Sequence, residues 1–386
     1  MCKFLLIVVT TSLTLKLILA FCEESYVIIC DDLIDIEELQ TDGAVSWRHV
    51  LIGSNHYKSE PPNHILTYKH ITALSRTKSL TILNQIKLIT SNAFGFSNNL
   101  LQHLNFFNNK IATIRDHSFA KLENLREVYL ENNEIHHLGR AIFKGTSLEI
   151  VNLSRNKLES ITTAFLETRI KWLLLNHNNL SFIEARAFPD NLEQLELNHN
   201  NLEDLESNLF QNLHNLKELF IEHNLLKTVP DIAPLTRIQY LHFAHNQIQK
   251  VYYRFDKHET LEFVDFSSNF IRNVATEVFS SDSPPLVILT FNRLTNLEFN
   301  NWEKKTDLGL YGNPWNCDCL FKIETNLRKY KHLSSCEFPR SLNGKLPICV
   351  EGGKCEDVDE IKEADISRFR EETTYFEDKI DCYFRL

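Results

Sequence analysis

The chain of 386 residues is long enough to bury one or two ordinary cores, and at 43% hydrophobic and 24% charged it has the composition of a folded protein. A formal net charge of −10 argues against a nucleic-acid partner, because phosphate binding needs a cationic surface. No stretch beyond residue 20 is apolar for long enough to span a membrane, so no membrane span is expected.

Residues 1–20, MCKFLLIVVTTSLTLKLILA, place Lys3 before an apolar run and Ala20 at its end, which predicts a secretory signal peptide. The alternative is an uncleaved anchor, but Lys16 leaves the run short of the ~20 apolar residues that spanning requires. Cleavage after Ala20 removes Cys2 and leaves eight of the nine cysteines, an even number suited to an oxidising compartment. The expectation is therefore a secreted, extracellular protein.

From residue 76 the sequence repeats. Asparagines recur at Asn109, Asn133, Asn156, Asn178, Asn200, Asn224, Asn246, Asn269, Asn292 and Asn313, in steps of 21 to 24 residues. Around each lies L-x-x-L-x-L-x-x-N-x-L, clearest in LREVYLENNEIHHL (125–138) and LKELFIEHNLLKTV (216–229). A degenerate copy precedes them around Asn84, with Ile86, Ile89 and Phe94 in frame. The L-x-L core predicts a short strand with alternate residues inward, and one such strand buries its face only by stacking on the next copy. The asparagine amide carries donors and an acceptor, so it can satisfy backbone groups of a turn that would otherwise be buried unpaired. A second inward column is predicted on the return side: Phe94, Phe119, Phe143, Phe188, Phe210 and Phe279. The copy at 224–235 carries DIAPL instead, so the column is expected to change there.

This repeat resembles the leucine-rich repeat family over residues 76–312, in about ten copies. The resemblance implies an α/β solenoid, a horseshoe with a parallel β-sheet on its concave face and disulfide-bonded caps at both ends. Residues 21–75 are the expected N-terminal cap, where Cys22 and Cys30 flank ESYVII as a small disulfide loop, shorter than the family's usual four-cysteine form. YGNPWNCDCL (311–320) followed by CEFPRSLNGKL (336–346) resembles the family's extracellular C-terminal cap, here residues 313–355. In that family Cys317 and Cys319 pair crosswise with two later cysteines. Cys336 fits the first of these and either Cys349 or Cys355 the second, which leaves the other to bond Cys382. A zinc site at Cys317 and Cys319 is disfavoured by secretion and by the lack of a partner C-x-x-C, and neither metal nor cofactor is expected.

Residues 356–386 form an acidic tail with Val358, Ile361, Ile366 and Phe369 at loosely helical spacing, read as an arm packed on the cap or as a docking segment. The tail is too short and too poor in heptads for a coiled coil. A homo- or hetero-dimer stays open, without the covalent dimerisation of coiled-coil insect relatives.

Positions between the leucines face solvent on the sheet. Tyr129, Trp172, Leu174, Glu196, Phe220, Tyr240, His242 and Phe263 fall there and are the candidate ligand-binding residues, because aromatic anchors with an acidic surround are typical of interfaces. Glu127, Glu193, Glu218, Glu222 and Glu262 make the face negative, which favours a basic, apolar partner. The place before the ladder asparagine carries His177, His199, His223 and His245, a column suited either to sensing pH or holding a metal, or simply to the turn. Two N-L-S sequons mark Asn152 and Asn179 as glycosylation sites, and a sugar on Asn152 would direct a partner toward residues 172–265. No G-x-S-x-G, H-E-x-x-H or glycine-rich phosphate loop is present, so catalysis is not expected.

The resemblance extends to Toll-like receptor ectodomains and to secreted insect immune leucine-rich repeat proteins. It implies a non-enzymatic recognition protein whose partner is an extracellular protein or a microbial-surface ligand. An extracellular matrix or adhesion component, or a binder that inhibits an enzyme, are the other readings.

Overall fold

The repeat dictates a three-residue strand whose middle residue is buried and whose flanks are not, as in Glu127–Tyr129, Ile150–Asn152 and Gln194–Glu196. The computed structural model describes residues 7–9, 16–17, 27–30, 49–52, 64–67, 77–83, 86–95, 100–120, 122–252, 255, 258–274, 285–296, 308–310, 312–316 and 349–350. The chain forms two compact units, residues 1–201 with 205–216 and residues 202–204 with 217–386.

In the first unit the strands Val27–Cys30, His49–Ile52, Ser79–Ile82, His103–Asn105, Glu127–Tyr129, Ile150–Asn152, Trp172–Leu174 and Gln194–Glu196 pair in parallel, each with the next. The segment expected as an N-terminal cap thus contributes strands in the same register as the repeats. Ile7–Val9, within the expected leader, pairs in parallel with Val27–Cys30 and antiparallel with Lys16–Leu17. In the second unit Glu218–Phe220, Tyr240–His242, Phe263–Asp265, Leu286–Ile288 and Leu308–Gly309 pair in the same way. Every link keeps one register, so that Tyr129, Asn152, Leu174 and Glu196 stand in line, as do Phe220, His242, Asp265 and Ile288. The parallel-sheet solenoid required by the repeat is therefore present.

The return side differs from a helical one. Among the described residues it consists of turns and short strands such as Thr113–Ile114, Ser160–Ile161 and Lys250–Val251, with no α-helix. A copy of 21 to 24 residues that must supply a strand, an asparagine turn and a second turn leaves too little chain for a stable helix, since short helices are marginal. The α/β class thus resolves into a β-solenoid.

Three columns fill the interior. Leu104, Val128, Val151, Leu173 and Leu195 are fully buried from the sheet, each worth about 1.5–3 kcal/mol of transfer energy. Phe94, Phe119 and Phe143 stack face to face from the return side, with ring centroids 5.6 and 5.4 Å apart. Phe165, which the spacing of the expected column passed over, continues that stack 5.9 Å beyond Phe143. Phe188 and Phe210 are buried in turn. In the second unit Ile232, from the DIAPL copy, and then Phe255 are the buried counterparts, the change anticipated there; Phe279 lies outside the described residues.

The third column is the asparagine ladder. Asn178 accepts from the Leu158 amide at 3.0 Å and donates to the carbonyls of Leu153 and Leu175, both at 3.0 Å. Asn246 repeats the pattern with Leu226, Ile221 and Phe243. Each side chain therefore closes its own turn and pins it to the turn before.

The residue preceding each ladder asparagine adopts a left-handed conformation, from Asn108 at φ 56° to Ser268 at φ 55°. At the last rung this place is Gly312, φ 73°, where an added Cβ would come within 2.6 Å of the Phe291 ring. Gly312→Ala is expected to cost about 1–2 kcal/mol for the backbone conformation alone, with the clash in addition. Chemical denaturation checks it.

Of the cysteines in the expected caps, Cys22, Cys317, Cys319, Cys336, Cys355 and Cys382 lie outside the described residues. Cys30 ends the strand Val27–Cys30, and Cys349–Val350 pairs in parallel with Trp315–Asn316.

Candidate recognition face

Alternation along each strand sends the residues flanking the buried leucine to the outer face of the sheet. In the first unit that face carries Tyr129, Trp172, Leu174 and Glu196 of the expected binding set. Trp172 is 47% exposed, whereas Tyr129, Leu174 and Glu196 are half-buried. Polar neighbours hold the smaller groups. His103 Nδ1 lies 2.9 Å from Glu127 Oε2, and the Tyr129 hydroxyl donates to the same oxygen at 3.2 Å. Glu196 accepts from Gln194 at 2.6 Å and from the Asn176 amide. Burial pushes the Tyr129 hydroxyl above its usual range, with the Glu127 charge adding to it. Glu131 sits one turn residue further on. Its Oε2 is buried without a hydrogen-bond partner, and burial pushes its carboxyl up.

The second unit carries Phe220, Tyr240, His242 and Phe263, and here the expected residues come together. The His242 imidazole stacks on Phe220 with centroids 4.5 Å apart and 20° between planes. Phe263 tilts against its other side at 5.2 Å and 45°. Tyr240 stands beside them, its hydroxyl donating to Glu262 Oε2 at 2.7 Å, a bond that raises the hydroxyl above its usual range. Two phenyl rings against one imidazole, with Tyr240 two places before it on the same strand face, form a ridge on three consecutive strands.

Acids edge that ridge. Glu222 Oε1 lies 3.6 Å from His242 Nδ1, and the imidazole holds the Glu222 carboxyl below the usual range. Asp265 accepts from the Ser267 amide at 2.7 Å, yet burial pushes its carboxyl up, with the nearby Glu222 charge acting in the same direction. Donor atoms of Glu222, His242 and Asp265 all lie within 4.8 Å of one another. Sequence spacing missed this grouping. Glu222 stands two places before its ladder asparagine, whereas His242 and Asp265 stand four before theirs.

The histidines before the ladder asparagines have a backbone explanation. His177, His199, His223 and His245 have φ values of 53–55°, a region in which histidine and asparagine are enriched. Their rings stack in pairs, His177 on His199 at 4.2 Å and His223 on His245 at 4.1 Å. Burial lowers the affinity of His223 for a proton, and the charge of His245 lowers it further.

Of the two sequon asparagines, Asn179 is exposed. Asn152 is half-buried on the outer face of the first unit, its Oδ1 accepting from the Ser154 amide at 3.0 Å.

Residues 123–180 and 190–248 match the leucine rich repeat family model. No curated protein matches the chain in sequence. Among solved structures, the leucine-rich repeat domain of APL1B is similar over 72% of this chain and 79% of its own, with a TM-score of 0.58 and 18% identity. A chain of the octameric complex of latrophilin 3, Unc5D and FLRT2, to which FLRT2 contributes leucine-rich repeats, is similar over 68% of this chain and 82% of its own, with a TM-score of 0.55 and 21% identity. The internalin InlF of Listeria monocytogenes is similar over 65% of this chain and 72% of its own, with a TM-score of 0.51 and 19% identity. At such identities the likeness is one of fold. Matched repeats over residues 123–180 and 190–248, a parallel solenoid and an asparagine ladder that closes each turn together give the chain the leucine-rich repeat fold.

Proposed function

We propose that the protein is a secreted, non-enzymatic recognition protein that binds an extracellular protein, or a protein displayed on a microbial surface, through the outer sheet face of its second unit. The observation that carries this reading is the ridge in which Phe220 and Phe263 pack against His242, with Tyr240 beside them on the same face. Ordinary solvated strand positions have no need of such residues, and clustered aromatics are the usual anchors of protein interfaces. Glu218, Glu222, Glu262 and Asp265 surround the ridge, so the matching partner surface is apolar with basic edges.

The glycan site supports the choice of unit. Asn152 stands in register between Tyr129 and Leu174, so a sugar there would cover the first unit's candidate residues. FLRT2 brings leucine-rich repeats into an assembly with other proteins, a precedent for this fold as a protein-binding module. The signal-peptide pattern of residues 1–20 supports secretion, and the even number of remaining cysteines fits disulfide-bonded caps. Innate immunity is the setting implied by the resemblance to Toll-like and insect immune repeat proteins. An adhesion role is the other reading, which constant deposition in developing tissue, rather than induction by infection, would favour.

The test is affinity capture from extracellular fluid with the secreted chain as bait. The variant Phe220→Ala/Tyr240→Ala/Phe263→Ala is expected to lose the captured partner, whereas Trp172→Ala retains it. Equal capture by all three baits removes the ridge as the binding surface.

A further inference from the structure

The three groups Glu222, His242 and Asp265 belong to successive turns of the second unit, and each is half-buried at the foot of the aromatic ridge. Two carboxylates held this close repel one another, a cost that a bound cation reverses. The imidazole between them is clamped by Phe220 on one side and Phe263 on the other, so its ring plane is fixed before any ligand arrives. A locked histidine with two carboxylates is a donor set for a first-row transition metal. Calcium and magnesium prefer all-oxygen sites and gain little from imidazole.

From this geometry we infer that Glu222, His242 and Asp265 form a binding site for one divalent transition-metal ion of the Zn2+ class. Bonds of about 2.0–2.2 Å to nitrogen and oxygen put tetrahedral donors about 3.4 Å apart. The Glu222–His242 edge, at 3.6 Å, already has that length. The remaining edges reach at most 4.8 Å, and side-chain rotation on the order of 1 Å closes them without moving the sheet. Asp265 keeps the Ser267 amide on Oδ1, which orients its carboxylate toward the site as an outer hydrogen bond does for a metal ligand. Three protein donors leave a position open for water or for a donor from a bound partner; only that last possibility rests on the recognition reading above.

The experiment is calorimetric titration of Zn2+ into the metal-free, full-length secreted chain, without any partner. One equivalent is expected to bind, and Glu222→Gln, His242→Gln and Asp265→Asn are each expected to weaken that event at least tenfold. His199→Gln and His223→Gln, in the stacked histidine pairs, leave it unchanged, and excess Mg2+ does not compete. A second measurement needs no variant: Zn2+ slows acylation of His242 by diethyl pyrocarbonate but not that of the exposed His137. Unchanged affinity in the three ligand variants, loss of the event in His223→Gln, or an unprotected His242 would overturn the site. None of these outcomes depends on whether a partner is captured.

Discussion

Asn178→Ala is expected to destabilise the first unit by about 3 kcal/mol or more, a larger effect than its short side chain suggests. The substitution removes the acceptor of the Leu158 amide and the donors to the Leu153 and Leu175 carbonyls. All three backbone groups are buried: the Leu158 amide, left without its acceptor, costs about 1–3 kcal/mol, and the Leu153 and Leu175 carbonyls, which keep Asn156 and Asn200, each lose one bond of about 0.5–1.5 kcal/mol. Water cannot restore them cheaply, because Leu153, Leu158 and Leu175 are fully buried around the turn. Asn201→Ala, at the exposed place just after the next ladder asparagine, Asn200, is the matched control and is expected to fall within about 0.5 kcal/mol of the parent. Urea denaturation of the two variants measures the difference. Amide exchange locates it in the strands Ile150–Asn152 and Trp172–Leu174. An Asn178→Ala protein as stable as the Asn201→Ala protein would mean that the ladder does not hold the turns.

The second large effect is at Phe143. Its ring lies between Phe119 at 5.4 Å and Phe165 at 5.9 Å, nearly parallel to both, and no part of it reaches solvent. Truncation to alanine opens a cavity that two neighbouring turns share. Phe143→Ala is expected to cost about 3–5 kcal/mol, the range for burying and then deleting a phenyl ring. Phe182→Ala, at a position 47% exposed, is expected to cost less than about 1 kcal/mol by the same denaturation measurement. Comparable losses at both positions would show that the stacked rings are not a continuous core.

These two columns were legible in the sequence for a physical reason. A solenoid repeats its demands at every turn, so a backbone that needs an amide at Asn109 needs one again at Asn133 and at Asn156. The phenylalanine column was less regular and its reading lost Phe165: the expected members fall five residues after the last apolar residue of the preceding strand, as Phe143 does after Leu138, whereas Phe165 falls four after Ile161. Return-side structure was not legible at all. Turns and two-residue strands such as His137–Leu138 carry no periodicity long enough to separate them from a short helix.

The candidate site was legible residue by residue but not as a group. Trp172, Phe220, Tyr240 and Phe263 could be placed on the outer face from strand alternation alone. That His242 would lie between two phenyl rings, and that Glu222 would reach it from a different column, depends on side-chain directions across turns. Spacing within one turn does not encode them. The histidines before the ladder asparagines show the converse: a conspicuous column whose residue type follows from a left-handed backbone.

The central claim is that the ridge of the second unit is where this protein meets its partner. Its most direct test is the dissociation constant of the captured partner for Phe220→Ala and Tyr240→Ala chains, each compared with the parent by surface-immobilised binding. Interface anchors of this kind carry about 2 kcal/mol or more, so a weakening of roughly thirtyfold at each position is the predicted result. A constant unchanged within a factor of two at both, in chains that fold as the parent does, would contradict it.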